Sequence, residues 1–424
     1  MSATLITNIQ LLVNTRTENV LLRGSALADL PCIEDAYLIV EHGKIAAYGL
    51  MDDLVHNHFT ITDVIDAEGQ TVLPAWCDSH THLVFAASRE EEFVYKLKGM
   101  SYADIAAKGG GILNSANKIA AATEDELYNS AWARLHELVQ LGTGAIEIKS
   151  GYGLSVEGEI KLLRVIKRLK QHSPIPIKAT FLGAHTYPLQ YKENHQGYID
   201  LIINGMLPII AEEKLADYID VFCEEGFFSP AETETICKAG MAIGLKTKLH
   251  VNQLNSIGGI EKGIALNAVS MDHLETMTQD DIQLMGGQKA SLSGEVWRGI
   301  GTLLPTAAFF LRMLFQPARQ LIDAHCAIAL ASDYNPGSSP SGNMNLVVSM
   351  GCIQMKMLPE EAINAATING AYAMELEQEV GSIMVGKRAN LIFTKPVPSL
   401  AYLPYAFGSN LIDKVMVNGV FLND

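Results

Sequence analysis

From Thr71 to Asp333 the sequence alternates short apolar runs with longer segments of helical periodicity. The runs are "TVLPAWCD", "GAIEIKS", "IKATFLGAH", "DVFCEEG", "KTKLHV", "AVSMDHLE", "KASLSG" and "AIALASD". The segments between them, such as "SVEGEIKLLRVIKRLKQH" and "SPAETETICKAGMAIG", begin near Ser or Thr, as capped helices do. Strand alternating with helix implies a parallel sheet, because parallel neighbours need a long crossover between them. Eight such units predict an α/β chain built on a (β/α)8 TIM barrel. An open doubly wound sheet is the rival architecture, and no GxGxxG phosphate loop supports it.

The two ends read differently. "TLITNIQLLVN", "AYLIVEHGKIAAYG" and "DVIDAEGQTVLP" near the start are short, β-branched and broken by Gly, Asn and Asp. "VGSIMVGKRANLIFT" and "LIDKVMVNGVFLND" at the end carry hairpin turn signals. Residues 1–70 and 379–424 are therefore expected to build one small β-sandwich domain around a barrel of residues 71–378. The chain is 48% hydrophobic with a mean hydropathy of +0.15. No apolar run reaches the ~18 residues of a membrane span, so a sheet covered on both faces is the reading. A net charge of −16 argues against nucleic acid and anionic membrane as partners. It leaves room for a small anionic substrate, since one local arginine binds a carboxylate whatever the total. The start lacks a basic, apolar leader, and the six cysteines are scattered without a CxxC, so reduced thiols in the cytoplasm are expected.

Barrel active sites form at the C-terminal ends of the strands. Nearly every unusual polar residue falls there: Asp78, His80 and His82 after the first strand, Lys149 to Tyr152 after the second, His185 after the third, His250 after the fifth, Asp272 and His273 after the sixth, Asp333 after the eighth. Residues two apart on a strand point the same way, so His80 and His82 can offer nitrogens to one ion. Two surface histidines are the bland alternative. His250 alone reads as a core histidine. Asp333, ending an apolar strand, must be paired, exposed or metal-bound. Three histidines with one aspartate suit zinc or ferrous iron. A base is then needed to move protons, and Asp333 and His273 are the candidates. For His273 the alternative is a residue that only orients others; for Asp78 the expected role is to support a ligand histidine. The glycine-rich "AAKGGGILNSANK", with Gly109–Gly111, reads as a substrate-covering loop or a linker.

"HTHLVFAASREEEF", "EIKSGYGL", "TFLGAHTYP", "DVFCEEGFFS", "SMDHLE", "ASDYNPGSSP" and "AATINGAYAME", in this order along essentially the whole chain, resemble the amidohydrolase superfamily and, within it, the imidazolonepropionase family. The resemblance implies metal-dependent hydrolysis of the ring amide C–N bond of 4-imidazolone-5-propanoate to N-formimidoyl-L-glutamate, in histidine degradation. It implies one divalent ion, zinc or iron, held by His80, His82, His250 and Asp333; the fourth strand lacks the lysine that bridges two metals in some members. Arg89, Tyr152, His185, Gln253, Asn335, Gly337 and Ser338 are implied as the substrate site. Asp333, His273 and His185 are implied as catalytic: His273 positions a water, Asp333 moves its proton, and His185 donates to the forming oxyanion. A homodimer is also implied. Relatives commonly carry an arginine after "GGGI"; this chain reads "LNSANK", with Lys118 nearby, and "AHTYPLQY" also departs from the usual pattern. The rivals are another mononuclear-metal amidohydrolase, such as a cytosine or guanine deaminase-like enzyme, which gives no reason for Arg89 with "KSGYGL", and a non-catalytic scaffold, which predicts lost ligands.

Overall fold

Eight strands lie parallel in chain order: Trp76–Thr81, Thr143–Lys149, Ile177–Ala184, Tyr218–Cys223, Lys246–Val251, Ser270–His273, Ile300–Leu303 and Ile328–Leu330. A computed structural model describes residues 2–55, 58–100, 110–287 and 297–422. The first and last strands meet at a bridge between Thr81 and Tyr334. There the His82 N–H donates to the Tyr334 carbonyl at 2.8 Å, and the Asp333 N–H to the His80 carbonyl at 2.9 Å. The sheet thus closes into a barrel through the backbone of residues expected to bind metal.

Every residue of the first, second and fourth strands is buried, which is why these segments show no polar outer face. Crossover helices start where the sequence supplies caps. Ser155 caps Val156–His172, while Thr123, Ser229 and Thr278 form capping boxes ahead of Glu124–Gln140, Pro230–Ala242 and Gln279–Met285.

Two local expectations are corrected. The segment "KASLSG" lies outside the described residues, and the seventh position in the barrel is held by Ile300–Leu303, between Ser270–His273 and Ile328–Leu330. That strand is only four residues long and includes Gly301, so it carries little periodic signal. The run "TVLPAWCD" is not one barrel strand. Thr71–Pro74 is a strand of the terminal sheet, where Pro74 opposes Leu391, and the barrel begins at Trp76.

The terminal sheet is mixed and draws on both ends of the chain. Its order is Val420–Phe421, Ile412–Val417, Leu391–Thr394, Thr71–Pro74, Ser2–Val13, Cys32–Glu41 and Lys44–Leu50, with Thr60–Asp66 also paired to Ser2–Val13. It has its own apolar core, including Ile6, Ile9, Leu12, Leu38, Val72, Leu391, Phe393 and Met416. Among the described residues no helix is long and apolar enough to cross a membrane.

Asn369 joins the segment after Ser2–Val13 to the barrel. Its amide donates to the carbonyls of Leu22 and Ile328 at 2.9 and 2.8 Å, and its oxygen accepts from the Leu22 N–H at 3.1 Å. All three bonds are buried, so Asn369→Leu strands three backbone groups. The expected loss is about 3 kcal/mol or more, read as a lower urea midpoint; an unchanged midpoint would show that water replaces the amide.

Candidate metal centre and active site

The three expected histidine ligands converge at the top of the barrel. One nitrogen from each of His80, His82 and His250 lies within 4.8 Å of the others, and all three rings are buried. Asp333 Oδ1 is 3.5 Å from His80 Nε2 and 3.6 Å from His82 Nε2. This closeness follows from the seam, where Asp333 and His80 share a backbone hydrogen bond. Asp333 has φ of +50°, and Asn252 and His273 at other strand ends have +52° and +85°. Such left-handed backbone at non-glycine residues costs about 1–3 kcal/mol each and persists where surrounding structure enforces it.

Each imidazole is held from behind. His80 Nδ1 meets Asp272 Oδ2 at 2.7 Å, and His82 Nδ1 donates to the Ser150 carbonyl at 3.2 Å. His250 Nδ1 lies 3.0 Å from Asp220 Oδ2, a close contact that is not aligned as a hydrogen bond. Burial, reinforced by the neighbouring cationic groups, keeps all three histidines well below their usual pKa, so they are neutral. The buried Nε2 atoms of His80 and His250 have no hydrogen-bond partner. Orphaned lone pairs of this kind are costly unless something binds them. Three neutral imidazoles with one carboxylate fit a divalent ion of the zinc or iron type.

Two further groups stand close by. Burial pushes the Asp333 carboxyl up to about 7, against the opposing pull of His273, Asn335 and Ser338. Burial pulls the His273 pKa down, yet it is raised, because Glu275, at 3.4 Å from Nδ1, together with Asp333 and Asp272 favours the charged ring. The His273 ring centroid is 5.1 Å from that of His250.

The other expected residues form two groups. Tyr152 and His185 sit beside His82, with centroids 5.4 and 5.5 Å from it. Arg89 lies against the loop after Asp333. Its Nε and Nη2 donate to Glu92 Oε2 at 2.9 and 2.7 Å, and a Cβ on Gly337 would fall 2.3 Å from its Nη1. Glycine at position 337 is what lets the guanidinium lie there. Asn335 is occupied within its own loop: its oxygen accepts from the N–H groups of Gly337 and Ser338, and its amide donates to the Asp333 carbonyl and the Ser338 hydroxyl. Ser338 Oγ is 3.4 Å from Asp333 Oδ2. Gln253 is half-buried just past the fifth strand. Of the glycine-rich loop, Gly109 lies outside the described residues, while the Gly111 N–H donates to Glu92 Oε1 at 2.9 Å.

Sequence reading missed three supports, Asp220, Glu92 and Glu159, and singled out Asp272 without assigning it this role. Asp78 does not reach a histidine ring; its carboxylate takes the N–H and hydroxyl of Ser332, tying the first strand to the eighth, and supports His80 only through a backbone hydrogen bond. The carboxylate behind His80 is Asp272, on a strand 192 residues away. For Asp220 and Asp272 the available signal was a carboxylate inside an otherwise apolar, buried strand, as in "YIDVFC" and "SMDH"; Glu92 and Glu159 lie on helices and gave no such signal.

Residues 210–422 match the model of the amidohydrolase family. The chain is 54% identical to the imidazolonepropionase of Flavobacterium johnsoniae, over 98% of this chain and 99% of that one. It is 51% identical to the imidazolonepropionase of Christiangramia forsetii, over 98% of both. Among solved structures it resembles guanine deaminase from C. acetobutylicum with bound guanine, at TM-score 0.69 and 16% identity, covering 99% and 100% of the two chains. A zinc-bound adenosine deaminase from Xanthomonas campestris gives 0.68 and 16%, with 99% and 92% coverage. The two structural likenesses speak for the fold alone.

Divalent metal should stabilise this chain by ligand linkage, about 2.7 kcal/mol at a hundred times Kd. Thermal unfolding after chelator treatment is expected to move up by several degrees when zinc or ferrous iron is returned. In His250→Ala that rise should disappear; an equal rise in the variant would place the ion elsewhere.

Proposed function

The chain belongs to the imidazolonepropionase family of amidohydrolases, and on that premise we propose that His80, His82, His250 and Asp333 form the centre at which it hydrolyses the ring amide of 4-imidazolone-5-propanoate to N-formimidoyl-L-glutamate. The observation that carries this is the convergence of three neutral imidazoles, each with its Nδ1 against an acceptor, upon one carboxylate. An ion in this donor set, zinc or iron, supplies Lewis-acid polarisation and a more acidic water.

The chain's own groups do the rest. Arg89 takes the propanoate carboxylate through its Nη1 side, since Nε and Nη2 are engaged by Glu92. Tyr152 closes over the same region; burial raises its pKa, so it is a neutral donor. Asp333 receives the proton of the attacking water and returns it to the leaving ring nitrogen. His273, oriented by Glu275, positions that water. Gln253 reads the ring nitrogens, because an amide both donates and accepts. Asn335 and Ser338 shape the loop that carries Asp333 and Gly337.

His185 takes a different role from the one implied by resemblance. Its Nδ1 is 3.0 Å from the Gly151 carbonyl, which can only accept, so Nδ1 carries the hydrogen. Burial lowers its pKa to about 4, leaving Nε2 a bare lone pair. Such a group accepts a hydrogen bond from a ring N–H rather than donating to an oxyanion. A homodimer of reduced, cytoplasmic subunits is the setting we adopt; the six cysteines are free, and light scattering that reports a single chain would reject the dimer.

Asp333→Asn with metal restored is expected to lose about 10²–10⁴-fold in kcat. Gly337→Ala should instead raise KM about ten-fold with a smaller change in kcat, the worth of one displaced charge-assisted contact. Normal turnover by metal-loaded Asp333→Asn would remove Asp333 from proton transfer.

A further inference from the structure

Three consecutive residues, Lys149, Ser150 and Gly151, stand behind four histidines of the site. Lys149 Nζ lies 2.8 Å from Asp220 Oδ2 and 3.3 Å from Asp272 Oδ2. The same two oxygens face the metal-site rings: Asp220 Oδ2 is 3.0 Å from His250 Nδ1, and Asp272 Oδ2 is 2.7 Å from His80 Nδ1. A third contact of the ammonium goes to Glu147 Oε1 at 2.8 Å, and Glu147 also holds the Thr180 hydroxyl and the Lys248 ammonium. One cation therefore gathers carboxylates from the second, fourth and sixth strands directly behind the centre.

Packing alone does not call for this arrangement. A barrel interior is ordinarily filled by branched apolar side chains. Replacing buried ion sets by apolar groups of similar volume is often neutral or stabilising. Ionic groups here cost desolvation, and each carboxylate oxygen that Lys149 shares with Asp220 or Asp272 is the one facing an imidazole.

The next two residues continue the pattern through their backbone. The Ser150 carbonyl accepts from His82 Nδ1 at 3.2 Å, and the Gly151 carbonyl from His185 Nδ1 at 3.0 Å. Gly151 has φ of +114°, and a Cβ there would come within 3.0 Å of His185 Nδ1 and 3.1 Å of Leu182. The turn is held by Glu159, fully buried, whose carboxylate accepts the N–H groups of Gly151 at 3.0 Å, Gly153 at 2.6 Å and Leu154 at 3.1 Å.

We propose that residues 149–151 are the orienting element of the active site, with Lys149 as its ionic anchor and Glu159 as its backbone clamp, setting the ring planes and tautomers of His80, His82, His250 and His185 together. This rests on the reading of the first three as metal ligands. Lys149 and Glu159 touch neither the ion nor the substrate; they are positioning residues. Metal affinity and substrate recognition are then coupled through one short stretch of chain, and disturbing it weakens both.

The test uses the full chain, stripped by chelator and titrated with Co(II), whose visible ligand-field absorption reports the ligand geometry. A competing chelator gives the affinity. Lys149→Met is expected to bind Co(II) about 10–100-fold more weakly, with an altered spectrum. Glu159→Gln keeps the side chain's size but places an NH2 against one of three N–H donors. It should shift the Co(II) spectrum through His82 and raise KM several-fold through His185 and Tyr152. A merely structural role would lower the unfolding temperature and leave Co(II) affinity, spectrum and KM as in the wild type. That result overturns the proposal, and if Lys149→Met does not fold, Glu159→Gln alone decides in the same way. A wild-type chain that binds no Co(II) removes the metal reading, and this inference falls with it.

Discussion

The hydrogen bond from the Asp333 N–H to the His80 carbonyl is the contact on which the rest depends. A parallel barrel must be closed by pairing its last strand with its first, or both edges stay open. Here that closing pair is made at the strand ends, by residues whose side chains also belong to the candidate centre. Closure and site assembly are one event. The left-handed backbone at Asp333 fits this, since it turns the carboxylate back toward His80 and His82 while the N–H still reaches across the seam.

Behind that seam the barrel is ionic where packing would ask for apolar side chains. Glu147, Lys149, Asp220, Lys248 and Asp272 are all buried, and each touches another of the set. Removing a single partner from such a set leaves an uncompensated buried charge, at about 3–5 kcal/mol. The set is thus tolerant only as a whole. Its carboxylates hold imidazole Nδ1 atoms, and its ammonium holds the carboxylates, so the chemistry at the rim is stiffened from below. A rigid support of this kind is what keeps donors within the small errors that metal binding allows.

Much of this was legible in the residues. Period two put His80 and His82 on one side, and the strand–helix alternation predicted the barrel. Asp333 could be singled out because an aspartate ending an apolar strand needs a partner. The supports were not legible in the same way. Periodicity says which residues share a face but not which strand lies opposite, so Asp272 could not be matched to His80, nor Asp220 to His250. Hence Asp78, close in sequence, looked like the ring support, whereas its carboxylate binds Ser332 and meets only the backbone of His80. The start of the barrel was misplaced because one apolar run, "TVLPAWCD", feeds two sheets in turn. The ring orientation of His185 depends on a carbonyl 34 residues away, which no spacing reveals.

The most direct measurement follows the absorbance of imidazolonepropionate generated in place from urocanate by urocanase. Metal-replete protein is compared with the same protein stripped by chelator. Expected is decay well above the spontaneous rate with metal and near that rate without it, with N-formimidoyl-L-glutamate as product. Decay at the spontaneous rate with metal-replete protein, or equal decay after stripping, would contradict the assignment of hydrolysis to this centre.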